Sequence, residues 1–492
     1  MKEILFLNMP DFDRAYLYHK EMGAGMGYKG LRPKKEIEKE RKVNPILDMI
    51  NAASILKKRY NVYIDDAQFY EPKNFSEYKK QLKENFYKKE IKYIFVRTSS
   101  PSLKNDHILV NSLKKIFSNS LFFIFGPLLV SDDAIKYVKS KKIFDGIITS
   151  EIESVITDII KSKNNKNLPS GVYYKYKNFY KINNVKRLLT NMESLPLLSY
   201  DLLNYKKIDK FIINTQRGCP MACNYCPYYL AQGNKFRFQS PKRMVKEIKY
   251  LYKKFNAKKI VIHDPIFTLD MPRIIKFCDL LIKEKLPIVW ECETHMQQIN
   301  SNILKKMRMA GNNLMSFGVE SADEQVLKKA SRKFNDWEKV KENIDYCKEI
   351  GITTRAYFIM AFDGDSIKGV FKTIKLLKFL NPDKAQFNLP NLYPGTGAFK
   401  NAEKKGFIDK SNFDKFIENI GHHADGKEIS LTKKISNSQA HLLWKIANHS
   451  ILLLKNKSFK YFSSKFKILI YTILVYAQEI KKNYFKSWKY RD

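Results

Sequence analysis

The sequence predicts an α/β chain in four parts. A Rossmann-like, doubly wound parallel sheet covers residues 1–162, and a linker and connecting region covers 163–205. A partial (βα)6 TIM-type barrel covers 206–400, and a helical, basic C-terminal region covers 401–492. Two observations carry this expectation. Short apolar runs alternate with amphipathic helical patterns, which implies parallel strands joined by crossover helices. That alternation also occurs twice, the two series being separated by a polar stretch, Lys161–Asn167, with Pro169 and Gly171 behind it.

In the first series, Ile4–Leu7, Val62–Ile64, Tyr93–Val96, Leu121–Phe125 and Gly146–Ile148 are short enough to be buried strands. Pro45–Arg59, Asn105–Phe117, Asp132–Ser140 and Glu153–Ser162 carry the helical patterns between and after them. Ligands of such sheets bind beyond the carboxyl ends of the strands. Asn8, Ser99, Ser100, Gly126, Ser150 and Glu151 occupy those ends.

In the second series, strands are expected at Phe211–Asn214, Lys259–His263, Ile288–Glu291, Leu314–Val319, Thr354–Met360 and Ala385–Leu389. Helices follow at Pro241–Phe255, Met271–Lys285, Ser301–Ala310, Asp336–Ile350 and Ser366–Phe379. Units of this length in succession build an open barrel whose site lies at the C-terminal strand ends. Past Asn401 the pattern turns helical and basic. Lys465–Lys481 is apolar between lysines, the pattern of a helix packed on the barrel or, as the alternative, of one lying on a membrane surface.

Composition sets bounds. The 492 residues are 44% hydrophobic and 28% charged, which suits a globular chain of two or three domains. Six cysteines in this length make no disulfide framework and fit a reducing, cytoplasmic setting. The start, Met1 to Pro10, lacks the long apolar core of a secretion signal. Ile468–Ala477 is too short to span a bilayer. The net charge of +39 favours anionic partners. The lysines, however, are spread along the chain with no arginine-rich block, so specific nucleic-acid binding is not expected. The C-terminal region is the candidate for peripheral membrane contact.

The chemistry concentrates in Arg217-Gly-Cys-Pro-Met-Ala-Cys-Asn-Tyr-Cys-Pro227. Cys219, Cys223 and Cys226 follow the first strand of the second series, where a barrel site belongs. Three thiolates at this spacing can hold three irons of a 4Fe-4S cluster and leave the fourth open to the amino and carboxylate groups of S-adenosylmethionine (SAM). Structural zinc, completed by His263, His295, Cys278, Cys292 or Cys347, is the competing reading. Asp264, after the second strand, can accept from the amine of SAM or cap the next helix. Glu320 and Ser321, after the fourth, can take ribose hydroxyls. Tyr393-Pro-Gly-Thr-Gly397 ends the sixth strand as a turn.

With Tyr225 in the slot before the third cysteine, the loop resembles the signature of the radical SAM superfamily. Further segments resemble its branch with a cobalamin-binding domain, the class B methyltransferases and anaerobic cyclases. They are Asn44–Asp48, Tyr63–Asp66, Arg97–Leu103, Phe125-Gly126, Asp145–Glu151, Ser316–Ser321 and Tyr393–Thr396. The resemblance implies that Cys219, Cys223 and Cys226 hold the cluster. It implies that Tyr225, Asp264, Glu320 and Ser321 meet SAM, and that Asn8, Ser99, Ser100, Gly126, Ser150 and Glu151 meet cobalamin. It further implies an enzyme that cleaves SAM reductively to a 5'-deoxyadenosyl radical and methylates an unactivated carbon of a small or lipid-like metabolite, served by an external one-electron reductant. Cyclisation or rearrangement without methyl transfer is the alternative, and a non-catalytic zinc-stabilised binding protein a more distant one. The chain departs from the branch in four places. It has Asp106-His107 without a D-x-H-x-x-G motif, Ser150 where a glycine is usual, His295 where an arginine is usual, and Ala361–Ser366 for the usual G-x-P-G-E-T turn. Methylthiotransferases, which carry three more cysteines in the first domain, are excluded, because no cysteine precedes Cys219.

Overall fold

The computed structural model describes residues 2–10, 16–19, 30–33, 43, 45–70, 72–99, 102–162, 169–177, 179–182, 186–332, 336–409, 413, 416, 430–453 and 459–488. For 16–19, 30–33, 182, 297, 459–462 and 480–488 the description is of the backbone alone. Asn44 and Ser100 lie outside these residues.

The first domain contains β1 (Glu3–Asn8), β2 (Tyr16–His19), β3 (Gly30–Pro33), β4 (Asn61–Asp66), β5 (Ile91–Arg97), β6 (Leu121–Phe125), β7 (Gly146–Ile148), β8 (Val172–Tyr176) and β9 (Phe179–Ile182). Seven of these form one sheet in the order β4-β1-β5-β6-β7-β8-β9, and β2 and β3 pair separately. The strands from β4 to β7 are parallel. Their order reverses between β1 and β5, the switch point at which doubly wound sheets take ligands. The continuous apolar runs are explained by helices on both faces: Ile4, Phe6, Tyr93, Phe95 and Phe123 pack on one side, Leu5, Leu7, Ile94, Val96 and Phe122 on the other.

Two elements depart from expectation. The segment expected as linker contributes β8 and β9, which extend the sheet antiparallel from β7. A helix not expected from the sequence spans Phe75–Phe86. Its apolar positions, Phe75, Tyr78, Leu82 and Phe86, recur at helical spacing, and the Asn74 side chain accepts from Glu77 N at 2.9 Å. An Asn-x-x-Glu start was the readable signal, and the many polar residues hid it.

The second domain contains β10 (Phe211–Ile213), β11 (Gln216–Arg217), β12 (Arg237–Phe238), β13 (Lys259–Ile262), β14 (Val289–Thr294), β15 (Asn312–Glu320), β16 (Thr353–Ile359) and β17 (Lys384–Asn388). Six run parallel in sequence order, β10-β13-β14-β15-β16-β17, with β10 and β17 as open edges. The crossover helices start where the sequence provides caps. Ser240, Asp270, Asn300, Asp336 and Ser366 each accept from the N–H three residues on. The C-terminal helices Asn437–Leu453 and Phe459–Trp488 pack as a pair beside the open edge, where Trp444 Nε1 donates to Phe387 O at 3.0 Å.

Candidate active site

The cysteine loop leaves the barrel after β10 and is fastened at its root. Asp264, fully buried beyond β13, accepts from Thr215 N at 2.7 Å, from Gln216 N at 3.1 Å and from the Thr215 hydroxyl. Asp264, a candidate contact for the amine of SAM, thus has its carboxylate engaged with the loop. β11 then pairs antiparallel with β12, so that the cysteines sit in the connection of a hairpin. Gly218 is needed there, because its φ is +82° and a Cβ would meet Lys235 O at 2.1 Å.

Backbone bonds fix the loop from several sides. Cys219 N donates to Gly233 O at 3.2 Å, Cys226 N to Cys223 O at 3.1 Å and Asn224 N to Ala330 O at 3.1 Å. Ala398 N donates to Asn224 O at 2.9 Å. That last bond ties the loop to the helix Gly397–Lys404 behind the Tyr393–Thr396 turn, whose Thr396 hydroxyl caps it by accepting from Phe399 N at 3.2 Å.

All three cysteines are free thiols. Cys223 is buried, while Cys219 and Cys226 are partly exposed and pack with Val130, Tyr228 and Ala231. Burial pushes the Cys226 thiol up to about 12 and raises that of Cys219. This donor set suits iron-sulfur ligation: three soft ligands in an apolar, protected loop. The buried Tyr228 hydroxyl and the Arg217 Nε beside them have no hydrogen-bond partner. Cys278, Cys292 and Cys347, named as completing ligands in the zinc reading, are buried in the barrel's apolar core.

Next to the thiols lies a polar rim. Tyr225 meets Phe362 edge-on at 5.8 Å, and Glu320 ends β15 with a left-handed φ of +65°. Arg332 joins them. It lies 3.8 Å from Glu320, approaches the Cys223 sulfur at 3.9 Å and donates to Gly318 O at 2.8 Å. Burial raises the Glu320 carboxyl's pKa, and Arg332 partly offsets that rise. His295 is buried with Nδ1 unpartnered. Burial and then the nearby Arg332 push its pKa down to about 4, so the ring is neutral at pH 7. Ser321, the other candidate for ribose hydroxyls, accepts from Asp323 N at 3.1 Å and contacts the Thr373 hydroxyl at 3.3 Å.

The barrel interior adds residues that sequence reasoning missed. On β14, Trp290, Cys292 and Thr294 are buried while Glu291 and Glu293 alternate with them on the other face. Trp290 packs among Phe267 and Phe277 outside the sheet, which leaves the glutamates to the interior. Burial, opposed by Arg355, pushes the Glu293 carboxyl up to about 7. Against its burial, Tyr357 and the two glutamates favour the charged form of Arg355. The readable signal was charge at every second position of these strands. Arg332 carried none, being one basic residue among 89.

At the sheet's strand ends most expected cofactor contacts are engaged internally. Asn8 Nδ2 donates to Asp66 Oδ1 at 2.6 Å, and the Ser99 and Ser102 hydroxyls lie 3.0 Å apart. Ser150 Oγ accepts from Arg187 N at 2.8 Å. Glu151 accepts from Arg237 at 2.7 Å and lies 3.4 Å from Arg217, which also pairs with Glu153 at 2.5 Å. Gly126 has φ +147°, and a Cβ there would lie 2.3 Å from Thr98 O. These residues build the wall and the domain junction. His107 is turned away, its ring packed against Tyr137 and Phe144.

Between the two domains lies a small cleft of about 80 Å³. Ile46, Leu47, Phe125, Gly126, Pro127 and Val130 line it from the sheet beside the polar Asp48, Arg97, Ser150, Glu151 and Glu153, and Asn214, Arg217, Ala231, Gln232 and His263 line it from the barrel. Val130 and Ala231 also touch the cysteine loop, so cleft and thiols are neighbours. The cleft lies beyond the carboxyl ends of β5, β6 and β7, where sheets of this kind take ligands, and its wall is part apolar and part charged.

Known proteins give the same picture. Residues 213–377 match the model of the radical SAM superfamily. The chain is 26% identical over 383 residues to the uncharacterized methyltransferase PH0819 of Pyrococcus horikoshii, which covers 76% of this chain and 81% of that protein. It is 28% identical over 207 residues to the anaerobic magnesium-protoporphyrin IX monomethyl ester cyclase of Rubrivivax gelatinosus, which covers 42% of this chain and 37% of that protein. Its fold is similar to that of the cobalamin-dependent SAM radical enzyme OxsB with aqua-cobalamin bound, with a TM-score of 0.66 and 15% identity, covering 92% of this chain and 66% of that one. Residues 213–377 thus carry the likeness to the radical SAM superfamily, and the chain as a whole is similar in fold to a cobalamin-dependent SAM radical enzyme.

Proposed function

We propose that this protein is a cobalamin-using radical SAM methyltransferase acting on an unactivated carbon of a small or lipid-like metabolite. The observation that carries the reading is the shared wall: Val130 and Ala231 touch both the cysteine loop and the interdomain cleft. When bound, the cluster supplies the electron that cleaves SAM to a 5'-deoxyadenosyl radical, and cobalamin supplies a carrier for a methyl group.

The chain's own residues hold and enclose these groups. Cys219, Cys223 and Cys226 ligate the cluster, and Asp264 and Gly218 set the loop that presents them. Tyr225, Glu320 and Arg332 line the SAM side. Ile46, Leu47 and Phe125 give the cleft its apolar wall and exclude water. Glu293, Arg355 and Tyr357 face the barrel interior, where they orient a polar part of the substrate. The small-molecule substrate and an external one-electron reductant are the required partners.

The test is anaerobic reconstitution with and without hydroxocobalamin. About four irons and four sulfides per chain with one retained cobalamin, and transfer of a labelled SAM methyl group to an extracted metabolite, are expected. Iron without cobalamin, or zinc alone, refutes the methyltransferase reading. The likeness to a cyclase favours one second reading, radical cyclisation; SAM cleavage with no label transferred is its signature.

A further inference from the structure

The C-terminal helix Phe459–Trp488 has one face that packs and one that is bare. Val475 is fully buried in the barrel's apolar core, with Ile468 and Tyr471 against it. Glu479 accepts from Gln439 Nε2 at 2.9 Å on the same side. Opposite them, Phe466 is 65% exposed, Leu469 57%, Ile473 59% and Leu474 44%. Their separations of three, four and seven or eight residues put them in a single stripe along the helix. Ile470 and Tyr476, also exposed, widen the stripe on this helix, and the remaining exposed large apolar side chains among the described residues are distributed over other elements. A contiguous stripe of this kind marks a binding surface.

Charge identifies the occupant. The helix carries six lysines and one glutamate. Lys465 and Lys467, both exposed, flank Phe466 at the two borders of the stripe. No helix of the described residues is long and apolar enough to cross a membrane. A second copy of this chain would bring a net charge of +39 against +39. An acidic lipid surface complements both the stripe and its lysine borders.

We propose that this face of Phe459–Trp488 docks on the surface of an anionic lipid bilayer. The apolar stripe enters the boundary between headgroups and acyl chains, and Lys465 and Lys467 sit over acidic headgroups. The proposal stands independently of the radical SAM reading.

The test is flotation of the full chain with phosphatidylcholine vesicles, plain or containing about one third phosphatidylglycerol. Wild type is expected to float with the anionic vesicles at low salt and to bind the plain ones at least about tenfold more weakly. The Leu469→Glu/Ile473→Glu variant is expected to lose about tenfold or more of the anionic binding. Both positions are exposed, so its circular dichroism should match wild type. Lys465→Glu/Lys467→Glu leaves the stripe intact and should weaken anionic binding while sparing what binding the plain vesicles show. Wild type that stays at the bottom with anionic vesicles overturns the proposal, as do variants that both float like wild type. A wild-type dimer that Leu469→Glu/Ile473→Glu converts to monomer also overturns it, by giving the face to a second copy.

Discussion

The two α/β domains end their strands in opposite ways. At the carboxyl ends of the first sheet the polar side chains bond to one another: Asn8 to Asp66, Ser99 to Ser102, Ser150 to the chain at Arg187. At the barrel mouth the His295 Nδ1 and the Tyr228 hydroxyl have no hydrogen-bond partner, Arg332 approaches the Cys223 sulfur, and Glu320 and Tyr225 stand on the rim. Buried polar groups are ordinarily satisfied. Unsatisfied buried atoms occur at both ends, Asn8 Oδ1 and Ser131 Oγ in the sheet domain and Tyr228 and His295 by the barrel, but only the latter stand beside the thiols. In the sheet the cleft is lined by apolar and charged side chains together. Position at a strand end identifies where a site belongs, and the hydrogen-bond account shows which residues serve it.

The largest effect should come from breaking the open end. Replacing any one of Cys219, Cys223 and Cys226 with alanine is expected to lower cluster retention by about 100-fold or more, since in the proposed site each thiol would hold its own iron. Iron and sulfide analysis with visible absorbance reads it. A variant that keeps wild-type iron would remove that cysteine from the ligand set.

The junction between the domains is next. Arg217, two residues before the first cluster cysteine, is buried between Glu151 and Glu153 of the sheet domain, and Arg237 completes the group. Removing one member leaves a buried charge uncompensated, which costs about 3–5 kcal/mol. Glu153→Ala should therefore lower the urea midpoint strongly, with little rescue by salt, because buried pairs are poorly screened. An unchanged midpoint would mean that the domains are joined by their apolar contacts alone.

A third comparison uses two carboxyls that burial pushes up to about 7, Asp65 in the sheet and Glu293 in the barrel. Asp65 accepts from the Tyr70 hydroxyl at 2.7 Å within the folded sheet edge. An acid with a raised folded pKa contributes stability that is complete below its unfolded value, near 3.8, and is lost as pH rises through about 7. Asp65→Asn should thus gain on wild type between pH 4 and pH 8, by on the order of 1.4 kcal/mol per pKa unit. Urea midpoints across that range check it. Glu293→Gln should show a similar stability trend and also flatten the pH profile of SAM cleavage, because Glu293 faces the barrel interior. If the two variants behave alike in catalysis, Glu293 belongs to the scaffold.

Much of this was legible in the sequence. The strands, most crossover helices and the cysteine loop announce themselves through apolar runs, capping residues and thiol spacing. What was not legible has physical reasons. The helix Phe75–Phe86 hides its apolar stripe among lysines, and β8 and β9 lie in a segment that reads as linker. Asp264 and Ser321 occupy ligand-like positions in the sequence, yet only the folded geometry shows their oxygens taken by Thr215, Gln216 and Asp323. Arg332 reaches the thiols from a turn far along the chain, where no local pattern marks it.

The smallest effect tests the complete end of the comparison. Ser150 stands where the resemblance expects a cobalamin contact, but its hydroxyl accepts from Arg187 N at 2.8 Å and so secures the segment that leads out of the sheet. Ser150→Ala removes that bond and a long one to Gly171 O at 3.4 Å, both neutral and at a partly buried position, a loss of about 1 kcal/mol. Thermal unfolding should register that small loss, while cobalamin retained after gel filtration should match wild type. Retention that falls with stability unchanged would make Ser150 a cofactor contact, and would show that a side chain satisfied within the protein can exchange its partner when the cleft fills.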